Sequence, residues 1–144
     1  MIYLDHAATS YPKPPVVVDA VRRWYDDIGC SPDRGDGPST LDAAATVQRC
    51  REGVARRTGH RPEHVAFCSG ATEALNLAIR ALASDGALVA TTTYEHSSVA
   101  RALRGLRAER GVRVAKAASI DELIEDIDQR RPDLVVMTHA SNVT

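Results

Sequence analysis

Ala87-Leu88-Val89-Ala90-Thr91-Thr92-Thr93-Tyr94-Glu95-His96-Ser97-Ser98-Val99 is the stretch whose reading decides the fold. Its first half, Ala87 to Thr93, is short, apolar and β-branched, and reads as a strand. A polar turn follows. Val99, Leu103 and Leu106 then recur on one face of a helix predicted over 97–110. A strand that passes within a few residues into an amphipathic helix is the opening of a βαβ unit.

Reading outward from that junction, the alternation repeats. Gly111 permits a turn into a strand predicted over Val112 to Ala115. Ser119 and Glu122 form a capping box, and Ile120, Leu123, Ile124 and Ile127 give the i, i+3, i+4, i+7 stripe of a helix that Pro132 stops. Leu134 to Met137 is a continuous apolar run of the kind found in strands covered on both faces. On the other side, His64 to Cys68 reads as a strand and Ala71 to Ala83 as a helix. Ala74, Leu75, Leu77, Ala78, Ile79 and Leu82 cover most of that helix's circumference, which predicts burial on more than one side. The order of strands and helices predicts an α/β layer with a mainly parallel sheet.

The first third has a different texture. Val16, Val17, Ala20, Val21 and Trp24 predict a helix over 15–26, and Gly29 to Pro38 is dense in turn formers. Ser39 followed by Asp42 resembles a capping box and predicts a helix over 40–58, closed by Gly59. Residues 1–60 therefore read as an N-terminal arm with helices, and 61–144 as the first part of a larger α/β domain. Length alone predicts a single compact unit.

Bulk properties exclude several classes of function. With 18 basic and 19 acidic residues the formal net charge is -1, so no basic field points to nucleic acid or to a membrane surface. Glu73, Arg80 and Asp85 interrupt the most apolar stretch, far short of the ~20 residues that span a bilayer. The N-terminus has no basic cluster before an apolar run, and a cytoplasmic location is expected. Cys30, Cys50 and Cys68 are odd in number, without a Cys-x-x-Cys pair, and suggest neither a disulfide framework nor a metal site.

In open parallel sheets ligands gather where strands end and helices begin. Three such junctions are unusual. Ser69-Gly70-Ala71-Thr72-Glu73 passes through small residues into a helix, where free amides, the helix dipole and the Thr72 hydroxyl make a natural phosphate seat. That pattern is also an ordinary way to start a helix. Thr91-Thr92-Thr93-Tyr94-Glu95-His96 ends a strand with a carboxylate and an imidazole, although a lone histidine is more often a surface or satisfied core residue. Thr138-His139-Ala140-Ser141-Asn142-Val143-Thr144 ends the last strand with hydrogen-bonding side chains.

Taken together, the junctions are more specific. Tyr3-Leu4-Asp5-His6-Ala7-Ala8-Thr9-Ser10 with Pro12-Lys13-Pro14, then Ser69 to Ala78, then Glu95-His96-Ser97-Ser98-Val99, then Thr138 to Thr144, closely resemble class V aminotransferases in order and spacing. Within that family the match is to cysteine desulfurase-like proteins. The resemblance implies a partial three-layer α/β/α fold of the pyridoxal-phosphate transferase type, preceded by an N-terminal helical segment, and pyridoxal 5'-phosphate as cofactor. It implies that Gly70, Ala71 and Thr72 bind the cofactor phosphate and that His96 stacks on the pyridine ring as the catalytic histidine. It further implies that Asn142 bonds near the ring's phenolic oxygen and the substrate carboxylate, and that His6, Ala7 and Ala8 lie near a small, cysteine-like amino-acid substrate. The loop from Arg34 to Pro38 resembles a segment that reaches a neighbouring subunit's site, although it departs from the commoner basic and histidine-containing pattern.

The family also requires a lysine that holds the cofactor covalently. The only lysines here are Lys13, between prolines, and Lys116, after a strand, and both read as solvated. The resemblance therefore implies that catalysis requires a lysine-bearing continuation or complementary chain, and it favours a homodimer. The alternative is a non-catalytic binding or assembly module derived from the same fold.

Overall fold

The computed structural model describes residues 2–6 and 8–141. The chain divides into two compact units, Met1–Phe67 and Cys68–Thr144, where length alone predicts one.

The first unit is helical. Helix α1 spans Pro15–Arg23 and continues through a wider π turn, Trp24–Ile28, which Gly29 ends in the left-handed conformation. Helix α2 spans Pro38–Thr58, two residues earlier than the sequence predicts, and the expected Ser39 capping box does not form. Pro38 explains the shift: its fixed φ suits the first helical position, so Gly37 becomes the cap. Gly59 closes α2 in the left-handed region as expected. Among the described residues only Ala43 and Ala55 of this unit are buried apolar side chains, and Val16, Val17, Val18 and Val21 of α1 lie open.

The segment predicted as a strand over His64 to Cys68 is not one. Pro62–His64 form a single 3-10 turn, and the extended residues after it join no ladder. A β-leaning run becomes a strand only when a neighbour accepts its backbone hydrogen bonds, and no described residue does so.

The second unit carries the α/β layers. Helix α3 (Ala71–Leu82) precedes strand β1 (Leu88–Thr92), helix α4 (Ser97–Arg110), strand β2 (Arg113–Ala117), helix α5 (Ile120–Arg130) and strand β3 (Leu134–Val136). The sheet is parallel, ordered β2-β1-β3, with Val89 opposite Val114 on one side and Leu134 on the other. Side chains alternate across it. Val89 packs with Ile79, Val99, Leu103 and Leu106 of α3 and α4, whereas Ala90 packs with Ala117 and with Leu123 of α5. The unit is thus a three-layer α/β/α arrangement. Burying side chains such as Leu106 and Val89 contributes about 1.5–3 kcal/mol each.

Two expectations about burial are corrected. Only Ile79 of α3 is buried, while Leu77 and Leu82 lie open, because α4 covers just one side of the helix among the described residues. β3 is half-covered, with Leu134 and Val136 facing the α3/α4 layer and Val135 and Met137 exposed.

Candidate functional site

Strand order places the site. β1 is followed by a connection to β2 on one side, and the chain then crosses to β3 on the other. The loops leaving β1 and β3 therefore diverge and leave a crevice at their carboxyl ends. The hollow there measures about 240 Å³ and is lined by Thr92 and Tyr94 from the first loop, Ile120, and Thr138 to Ser141 from the second.

Glu95 holds this crevice together. Its carboxylate accepts hydrogen bonds from the Thr92 hydroxyl at 2.6 Å, the Thr138 backbone N–H at 3.0 Å and the Thr138 hydroxyl at 2.8 Å. The proton of Thr92 goes to Glu95, while its oxygen accepts from the Tyr94 N–H at 3.3 Å. A charged acceptor shared among neutral donors strengthens each bond. The loop bearing His96 is thereby tied to the loop that continues into Asn142.

His96 caps α4. Its Nδ1 accepts from the Ser98 N–H at 3.2 Å and lies 2.9 Å from the Ser98 Oγ. A nitrogen that accepts from an amide carries a lone pair, so this network assigns the neutral ring its proton on Nε2. The imidazole is held from one edge, and its other nitrogen is available as a donor at the exposed end of the helix.

The N-terminus of α3 lies at the same end of the layers. At the opposite end the two helices meet: Arg80 bonds to Glu109 at 2.6 and 3.1 Å, and the Arg110 guanidinium donates to the carbonyl of Arg80 at 2.9 Å. The helices thus run the same way, and both amino ends face the carboxyl end of the sheet. The first intrahelical bond of α3 runs from Ala74 N–H to Gly70 O. The amides of Ala71, Thr72 and Glu73 have no acceptor among the described residues, nor has the Thr72 hydroxyl. Gly70 caps them with extended backbone, and a Cβ built there would meet nothing within 4 Å. Such an open set of donors fits a phosphate group.

Glu73 modifies this seat. Its carboxylate accepts from the Ser69 N–H at 2.7 Å, and that backbone bond holds its pKa below the usual glutamate value. It takes the amide before the cap and leaves the helix's own first amides open.

Gly70, Ala71, Thr72 and His96 are therefore brought to one end of the second unit. His6 and Ala8 belong to the first unit, where both are exposed; His6 stands edge-on to Tyr3 at 5.0 Å between ring centres, and the Ala8 N–H donates to Asp5 O at 3.2 Å. Ala7 and Asn142 lie outside the described residues. Sequence reasoning noticed Glu95 but gave it no role, because its partner Thr138 is 43 residues away.

Comparison with known proteins bears on the family and the fold. The Aminotransferase class-V family profile matches residues 2–144. A cysteine desulfurase of Frankia sp. (strain EuIK1) is 43% identical over 79 residues, which cover 55% of this chain and 18% of that protein. The apo structure of a cysteine desulfurase from Thermococcus onnurineus NA1 superposes with a TM-score of 0.83 at 26% identity, covering 98% of this chain and 37% of that one. Histidinol-phosphate aminotransferase from Sinorhizobium meliloti, solved in complex with pyridoxal-5'-phosphate, shares the fold with a TM-score of 0.62 at 19% identity, over 91% of this chain and 33% of that one. The matched parts of the chain thus cover only 18% to 37% of the length of these proteins.

Proposed function

Because this chain belongs to the class V aminotransferase family, we propose that it supplies the phosphate seat and the ring-stacking histidine of a pyridoxal 5'-phosphate-dependent, cysteine desulfurase-like enzyme. The observation that carries the reading is the set of acceptor-free amides at Ala71, Thr72 and Glu73, at the same end of the layers as His96. The desulfurase assignment within the family rests on the relatives it resembles.

Each residue has a defined task. The α3 amides and the Thr72 hydroxyl hold the phosphate through charge-assisted bonds, and Gly70 keeps the approach clear. His96, oriented by its bond to Ser98, lays its ring against the cofactor plane and presents Nε2–H to the substrate side. Glu95 fixes the spacing between the His96 loop and the strand end at Thr138. When bound, the pyridine ring supplies an electron sink for the substrate's α-carbon. Lys116 lies on the α4 face of β2, beside Arg104 and Arg107, and Lys13 is engaged within its own segment by Thr9 and Ser10. A lysine-bearing continuation or partner chain completes the site, on a small cysteine-like amino acid, in a dimeric enzyme. No described helix is long and apolar enough to cross a membrane, and the scattered cysteines suit a reducing cytoplasm.

Amide chemical shifts test the phosphate seat directly. Pyridoxal 5'-phosphate should move the Ala71, Thr72 and Glu73 resonances in a saturable way, whereas pyridoxal lacking the phosphate should not. Identical responses to both compounds would refute the seat. Supplying a lysine-bearing complement should then produce the visible absorbance of the lysine-held cofactor, which distinguishes an enzyme half from a non-catalytic module.

A further inference from the structure

The α4 face of the sheet holds a second hollow, distinct from the crevice at the strand ends. It measures about 250 Å³, with Thr91 of β1 among the residues at its base and Leu103, Arg104 and Arg107 of α4 and Lys116 of β2 around it. The sequence dictates this lining. Thr91 and Lys116 are register partners on adjacent parallel strands, so their side chains leave the same face. Ala100, Leu103, Arg104 and Arg107 fall at i, i+3, i+4, i+7 and form one stripe of the helix above them.

The charges do not balance. Three arginines of this unit find acids, Arg80 with Glu109, Arg110 with Asp85 and Arg130 with Asp126. Arg104, Arg107 and Lys116 have neither an ion pair nor a hydrogen bond among the described residues. Glu95 also reaches the lining, but both its oxygens are engaged by Thr92 and Thr138. Thr91 is 1% exposed, and its hydroxyl is a buried polar group without a partner among the described residues. A buried unpaired hydroxyl destabilises the fold unless something meets it. Cations converging on one hollow likewise repel each other until an anion arrives.

We propose that this hollow binds a small oxyanion of phosphate or carboxylate chemistry, gripped by Arg104, Arg107 and Lys116, with the Thr91 hydroxyl as donor at its base. Paired guanidinium groups suit the planar, bidentate edges of such anions. The volume lies just under the ~300–1,000 Å³ of sites for drug-sized ligands, which limits the guest to a small one.

The hollow shares Thr92 with the strand-end crevice but opens on the α4 face, and its reporters differ from those of the proposed cofactor seat. The full chain is titrated with inorganic phosphate in one arm and succinate in the other, at constant ionic strength set with sodium chloride. Saturable shifts of the Thr91 and Lys116 amides are expected in at least one arm, and the tighter arm identifies the chemistry. Arg104→Gln with Arg107→Gln should weaken binding by roughly tenfold or more. Thr91→Val guards against misfolding as an explanation: it should raise the melting temperature by removing the unpaired hydroxyl, yet lower anion affinity. No saturable shift at Thr91 and Lys116 in either arm, or affinity unchanged in the double glutamine variant, overturns the proposal.

Discussion

Replacing Glu95 tests whether the crevice is held by one carboxylate. In Glu95→Ala the Thr92 hydroxyl, on a residue only 4% exposed, loses the acceptor for its proton, while the Thr138 N–H loses its bond. An orphaned buried donor costs about 1–3 kcal/mol, and a half-buried amide that water can partly reach adds about 1, so the loss is about 2–4 kcal/mol. Glu95→Gln behaves differently. Its carbonyl oxygen can still accept from Thr92 and the Thr138 N–H, while its NH2 donates to a Thr138 hydroxyl that has turned to accept. All contacts survive and only the charge assistance is lost, about 1 kcal/mol. Urea denaturation of both variants gives the ordering, and amide exchange at Thr138 localises it. Exchange there should quicken by tenfold or more in Glu95→Ala and by less in Glu95→Gln. The reasoning is refuted if the two variants are equally stable, or if Thr138 exchanges at the native rate in the alanine variant.

Two further outcomes follow from the packing and the charges. Leu106 is fully buried at the centre of the α3, α4 and β1 contact, so Leu106→Ala should lower stability by about 2–5 kcal/mol, read as a lower urea midpoint at unchanged slope. Glu73, bonded to the Ser69 N–H, and Glu109, bonded to Arg80, both have folded pKa values below the ordinary glutamate value. Their contributions are therefore present above that ordinary value and vanish as pH falls through the lowered one. Glu73→Gln with Glu109→Gln should flatten the acid limb of a stability-against-pH curve, and an unchanged limb would exclude both groups.

The parts of the fold written locally were legible. Ser97 to Arg110 is a helix as its spacing predicts, because Val99, Leu103 and Leu106 share one face and Gly111 stops it in the left-handed region. The Ser119 cap also forms, the Glu122 N–H donating to the Ser119 hydroxyl at 3.1 Å, while the Glu122 carboxylate reaches one residue past the cap to the Ala118 N–H at 2.6 Å. Two of the misreadings share one physical cause. A strand at His64 to Cys68 and full cover for α3 both depend on partners from elsewhere in the fold, and apolar composition says nothing about whether such partners are present. The Ser39 box fails for a local reason, since Pro38 supplies a better first position one residue earlier. Of the candidate site, the open amides that start α3 and the histidine that caps α4 were visible as motifs.

The clamp was not visible, and the topology explains why it is needed. A switch point opens a crevice because the chain leaves β1 and β3 in different directions, so no backbone ladder joins the loops beyond Thr92 and Val136. Without another tie, the segment carrying His96 and the segment leading to Asn142 would move independently, and a ligand between them would have to order both. Glu95 replaces the missing ladder with side-chain bonds to each strand end. Its position next to His96 then has a consequence: the Ser98 bond fixes the ring relative to α4, while the Glu95 bonds fix the start of α4 relative to β3. Orientation of the imidazole and width of the crevice are thus set by separate groups, so a change at Ser98 should alter ring geometry while leaving Thr138 protected, and a change at Glu95 should do the reverse.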